Sequence, residues 1–76
     1  MQTGMMWFDN DPKKNISLRV AEAAQYYLHK YGSVPTTCLV NPAMLPGGEM
    51  RISDVDLKPA KWIMPNSYWI GREETL

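Results

Sequence analysis

From Ile16 to Tyr31 the chain runs without a proline or glycine, between an asparagine at 15 and a glycine at 32. Those flanks match helix punctuation. An asparagine side chain can accept from first-turn amides that have no intrahelical partner, and a glycine can take the left-handed conformation that ends a helix. Ile16, Val20, Ala23, Ala24, Tyr27, Leu28 and Tyr31 recur at helical spacing and form one apolar stripe, with Arg19, Glu22, Gln25, Tyr26, His29 and Lys30 opposite. The spacing therefore predicts an amphipathic helix over 16–31. A single helix covers one face of a small sheet and no more.

The remaining apolar runs are short, and turn residues separate them. Met5-Met6-Trp7-Phe8 precedes an Asx-rich turn at Asp9-Asn10-Asp11-Pro12, so residues 1–12 read as an edge strand or arm. Thr36–Val40 is β-branched and apolar and reads as a mostly buried strand. Asn41-Pro42 can stop it and start a helical turn through Leu45, and Pro46-Gly47-Gly48 reverses the chain. In 50–57, Met50 and Ile52 share one parity while Val55 and Leu57 share the other, which calls for a bulge near Ser53-Asp54 or for two short strands.

Lys58–Gly71 carries most of the chain's aromatic character and reads as a C-terminal hairpin, with strands at 60–64 and 67–71 about Pro65-Asn66. In that register Ile63 faces Tyr68 and Trp62 faces Trp69. The two tryptophans then lie on one face, with Ile63, Tyr68 and Ile70 on the other. Both faces are apolar, so the helix covers one and the Trp7-Phe8 segment or a partner chain covers the other. Arg72–Leu76 reads as a solvated tail. The expected fold is α+β: one helix on a small, mainly antiparallel sheet of three to five strands, in a single domain over 1–76.

Composition narrows the function classes. Eight Lys+Arg balance eight Asp+Glu, so the formal net charge is zero and a polybasic nucleic-acid arm is excluded. One cysteine and one histidine cannot build a disulfide framework or a four-ligand zinc site. No basic leader or membrane-length apolar run is visible, so a cytoplasmic setting without membrane contact is expected.

Side chains suited to chemistry are few. His29 belongs to the helix's polar side and Cys38 to a buried strand, where a thiol behaves as a small hydrophobe rather than half of a nucleophilic dyad. Asp9/Asp11 and Asp54/Asp56 have alternate spacing, but each pair lacks the further oxygens a hard cation needs and reads as turn or strand-edge solvation. No catalytic residue, metal ligand or cofactor is expected, and the chain reads as non-enzymatic.

Two binding readings remain. The first is a protein-interaction module whose partner is another protein chain or a second copy of itself, as a homodimer, through Trp62, Met64, Tyr68, Trp69, Trp7 and Phe8; tryptophan and tyrosine dominate interface energetics. The second is a single-stranded nucleic-acid binder. Trp62, Tyr68 and Trp69 would serve as its stacking platform, and Lys58, Lys61, Arg19 and Lys30 would supply positive charge.

Overall fold

The computed structural model describes residues 2–73. One helix packs against a five-stranded mixed sheet, an α+β arrangement whose sheet is mostly antiparallel and open. Strand β1 spans Gln2–Phe8, helix α1 Ile16–Tyr31, and β2 Thr37–Val40; β3 spans Met50–Ile52, β4 Val55–Pro59 and β5 Ser67–Glu73. The spatial order is β1-β5-β2-β4-β3. Among the described strand pairs, β2 and β4 are parallel neighbours and the other three are antiparallel.

Helix α1 keeps the predicted limits because its ends are capped locally. Asn15 Oδ1 accepts from the Leu18 amide at 2.9 Å, and Gly32, at φ 77°, donates its N–H to the Leu28 carbonyl at 2.8 Å. His29 and Lys30 in the last turn place basic side chains at the negative end of the helix dipole. Val20, Ala23 and Tyr27 are buried against the sheet, where they meet Cys38, Val40, Leu57, Tyr68 and Ile70. Tyr31, assigned to the apolar stripe, is exposed and lies against Tyr27 with ring centroids 4.7 Å apart.

The parity conflict at 50–57 resolves into two strands. Ser53 takes a left-handed φ of 54°, so β3 folds back on β4 and Met50 pairs with Leu57, Ile52 with Val55. Asn41 caps a 3-10 turn at Pro42–Met44, with its side chain accepting from the Ala43 amide at 2.9 Å.

The C-terminal hairpin does not form. The Pro65-Asn66 turn is present, with Asn66 at φ 68° and the Ser67 amide donating to the Met64 carbonyl at 3.0 Å. Residues 60–64, however, are turn rather than strand. The Ala60 amide donates to the Val40 carbonyl, and the Ile63 amide donates back to the Ala60 carbonyl at 3.1 Å, which coils the chain at the end of β2 and β4. Strand β5 then enters between β1 and β2, so it never neighbours β4. Trp69 pairs with Met6 and Leu39 instead of Trp62, and Tyr68 with Trp7 and Val40 instead of Ile63.

The predicted tail is also corrected at its start. Arg72 and Glu73 belong to β5, pairing with Thr3 and Gln2, and the Arg72 guanidinium donates to the Val34 carbonyl. Residues 74–76 lie outside the described residues. Among the described residues no helix is long and apolar enough to cross a membrane.

Candidate interaction surface

Sheet register decides which side chains share a face, because directly paired residues point the same way. Met5, Trp7, Tyr68, Ile70, Cys38, Val40, Val55 and Leu57 fall on the side that α1 covers. The opposite side holds two cross-strand rows. One runs Met6–Trp69–Leu39–Lys58 and the other Gly4–Gly71–Thr37–Asp56–Arg51, with Phe8 and Ser67 paired at the end of the first two strands. The one helix among the described elements packs on the other side; on this second face Met6 and Phe8 are exposed, while Thr37 and Gly71 in the second row are buried. The segment expected to cover it, Trp7-Phe8, extends the sheet sideways as its edge strand.

Met6 and Phe8 are 56% and 63% exposed on that face. Trp69 is half-buried, because its indole lies over Gly4: a Cβ at position 4 would fall inside van der Waals contact with ring atoms Cζ2 and Cε2. The missing Gly4 side chain is thus the ring's seat. Trp62 and Met64, 68% and 71% exposed, sit in the 60–66 turns at the same sheet end as Phe8. That turn is held by the Asn41 side-chain amide, which donates to the Ile63 carbonyl at 2.9 Å, and by the Asp9 amide, which donates to the Asn66 carbonyl at 3.0 Å.

The predicted interaction set therefore divides. Phe8 and Trp69 share the uncovered face, with Trp62 and Met64 beyond its end. Tyr68 is removed from the set, since it is completely buried beneath α1. Trp7 turns to the helix side, where its ring meets Tyr26 at 4.8 Å and its Nε1 is buried without a partner among the described residues. These two rings flank a groove of about 470 Å³ that Glu22, Gln25 and His29 also line.

The nucleic-acid set divides further. Lys58 shares a row with Trp69, and Lys61 is exposed in the turn beside Trp62. Lys30 belongs to α1, across the sheet from them, with its ammonium 5.4 Å from the Tyr31 ring. Arg19, assigned to the helix's solvent side, turns inward. It donates to Asn66 Oδ1 at 3.0 Å, to the Tyr68 hydroxyl at 3.2 Å and to the Asp11 carbonyl at 2.6 Å. The Tyr68 hydrogen bond holds the guanidinium above its ordinary pKa against the opposing effect of burial. Arg19 fastens the helix to the start of β5 and takes no part in a basic surface.

Beyond Lys58 the uncovered face becomes charged. Arg51 pairs across the strands with Asp56 at 3.5 Å and along the turn with Asp54 at 3.9 Å. Asp9 accepts the Asp11 amide at 3.0 Å and pairs with Lys14 at 3.2 Å, and those interactions lower its pKa, the amide contribution being the largest. Both aspartate pairs are thus engaged by the protein's own donors. Among the described residues no three His, Cys, Asp or Glu side chains gather about a common point. Cys38 is fully buried, which pushes its thiol up to about 12 and leaves it protonated at neutral pH.

Met6, Leu39 and Gly4 belong to the surface but were not among its predicted residues. Their parity within each strand was readable, but their common face depends on which strands are neighbours. Comparison with protein-family models, with curated proteins and with solved structures gave no match.

Proposed function

We propose that this chain is a non-enzymatic protein-interaction module whose uncovered sheet face receives an amphipathic helix from another protein. The observation that carries the proposal is the row Met6–Trp69–Leu39, with Phe8 beside it, on the side of the sheet opposite α1. Neighbouring strands lie ~4.8 Å apart, so the row is ~10 Å across, close to the ~10 Å diameter of a helix with its side chains. A standard interface takes ~800 Å² from each partner, about a sixth of the 4994 Å² accessible surface. Trp69 is a suitable anchor, being a large rigid ring already seated against the backbone, so it loses little freedom on binding.

The test uses a display library of randomised amphipathic helices, selected against the folded chain. Selected helices should bind saturably and lose at least about tenfold in affinity to the double variant Met6→Ser/Phe8→Ser. The control Leu18→Ser, altering an exposed apolar residue of α1, should leave binding unchanged. Helices that depend on Leu18 and ignore the face variant would overturn the proposal, as would a library that yields no ligand. A mixed-sequence single-stranded oligonucleotide is titrated in parallel at low and high salt. Saturable, salt-relieved quenching of tryptophan fluorescence would assign the face to nucleic acid instead.

A further inference from the structure

The sheet has two edges, and they differ in kind. The β3 edge is three residues long, with Arg51 at its middle, paired to Asp54 and Asp56. A short edge bearing charge discourages further strand pairing. The β1 edge is seven residues long, Gln2-Thr3-Gly4-Met5-Met6-Trp7-Phe8, with no charged residue and no proline. It pairs with β5 along its whole length on one side and, among the described residues, has no strand on the other.

The direction of its backbone groups follows from one hydrogen bond. The Asp9 amide donates to the Asn66 carbonyl at 3.0 Å, which continues the register in which Phe8 pairs with Ser67. Antiparallel pairs alternate between hydrogen-bonded and non-hydrogen-bonded positions. Trp7, Met5 and Thr3 therefore direct their N–H and C=O groups toward β5, while Phe8, Met6, Gly4 and Gln2 direct theirs outward.

We infer that a second copy of this chain pairs antiparallel along β1, joining two sheets of five strands into one continuous sheet. A twofold axis at Met5 uses the whole strand. Gly4 then faces the partner's Met6, Gln2 faces the partner's Phe8, and the outward groups exchange about eight hydrogen bonds. Every side chain keeps its own side, because each pair joins residues of equal parity. Both copies spend the same edge, so the assembly closes as a dimer, and the blunted β3 edges stop it from growing into a filament. The absence of like charges facing each other across the joint favours the pairing. The inference concerns the strand edge and holds whatever occupies the uncovered face.

The experiment combines sedimentation of the whole chain from roughly 10 µM to 1 mM with residue-resolved amide exchange at both ends of that range. The wild-type mass should rise from monomer to dimer. Amides of Gly4, Met6 and Phe8 should become at least about tenfold more protected in the concentrated sample, while Met5 and Trp7 are protected in both. Met6→Pro removes an outward N–H that the monomer does not use, a position where an edge strand tolerates proline, and should remain monomeric. Trp62→Ser should still dimerise. A wild-type mass that stays monomeric throughout would overturn the inference. So would a dimer whose Gly4, Met6 and Phe8 amides exchange as fast as in the dilute sample, which would locate association on the face or the 60–66 turns. The exchange pattern decides even where Met6→Pro fails to fold.

Discussion

Gly4→Ala tests how the uncovered face is built, because one substitution should change sign with its background. Gly4 has no positive φ, so its backbone conformation accepts an L-residue. Its missing Cβ matters only because the Trp69 indole occupies the space, with ring atom Cη2 2.9 Å from the position a Cβ would take and two other ring atoms closer. A rigid bicyclic ring cannot yield by a small terminal rotation. The indole must leave its seat or the strands must separate, and overpacking of this kind costs ~1–3 kcal/mol. In a Trp69→Ala background the obstruction is gone. Replacing glycine by alanine at a compatible site then stabilises by ~0.4–1 kcal/mol, since the unfolded chain has less freedom to lose.

The double-mutant cycle should therefore return a coupling of roughly 1.5–4 kcal/mol, built from those two opposed effects. Urea denaturation followed by far-ultraviolet circular dichroism reads all four proteins without relying on the altered tryptophan. For a domain of this size, each kcal/mol corresponds to ~4–8 °C in Tm, so thermal melts supply a second measure. Equal changes in the two backgrounds would refute the reasoning, because they would mean that the ring does not rest on Gly4.

Adjacent Trp62 and Ile63 should behave oppositely despite their order of size. Trp62→Ala, in an exposed turn, should move stability by less than ~0.5 kcal/mol, while Ile63→Ala, at 1% exposure, should cost ~2–5 kcal/mol in the same denaturation assay. Arg19→Met keeps an apolar stem but withdraws the donors from Tyr68, Asn66 and Asp11. It should lower the urea midpoint without changing the slope, and an unchanged midpoint would show that water replaces the guanidinium without loss. The Cys38 thiol, raised to about 12 by burial, should resist iodoacetamide at pH 8 until the chain unfolds. Because the unfolded thiol ionises first as pH rises, stability should decline from about pH 9 toward 12, and Cys38→Ala should flatten that decline.

Local interactions were the legible part of the fold. Asn15, Gly32 and the apolar stripe determine α1 within a few turns, so they could be read without knowing the rest of the chain. Strand parity was legible for the same reason: Tyr68 and Ile70 fall on one side of β5 and Trp69 on the other. Strand order was not. Pro65-Asn66 makes the expected turn, but a turn requires no hairpin, and the Ala60 amide is drawn to Val40 rather than across to β5. The same limit hid Met6 and Leu39, which are far from Trp69 in sequence and become its neighbours only when β5 inserts between β1 and β2. Arg19 was misassigned because helical spacing ranks residues by polarity, and a guanidinium with three acceptors can turn inward.

The arrangement separates what stabilises the chain from what it presents. Val20, Ala23, Tyr27, Cys38, Val40, Val55, Leu57, Tyr68 and Ile70 form the buried cluster between helix and sheet. The uncovered face contributes Met6 and Phe8, which remain largely exposed, and Trp69, which is half-buried over Gly4 between Met6 and Leu39. Apolar side chains that give little to the isolated fold still carry the cost of hydration, about 25 cal/mol for each Å² left in water. Under the proposed function, a partner covering the face would recover that free energy without rebuilding the core. Substitutions at Met6 and Phe8 should therefore alter binding far more than stability, whereas substitutions at Tyr27 or Ile70 should affect both, the second only because the sheet that displays the face is lost.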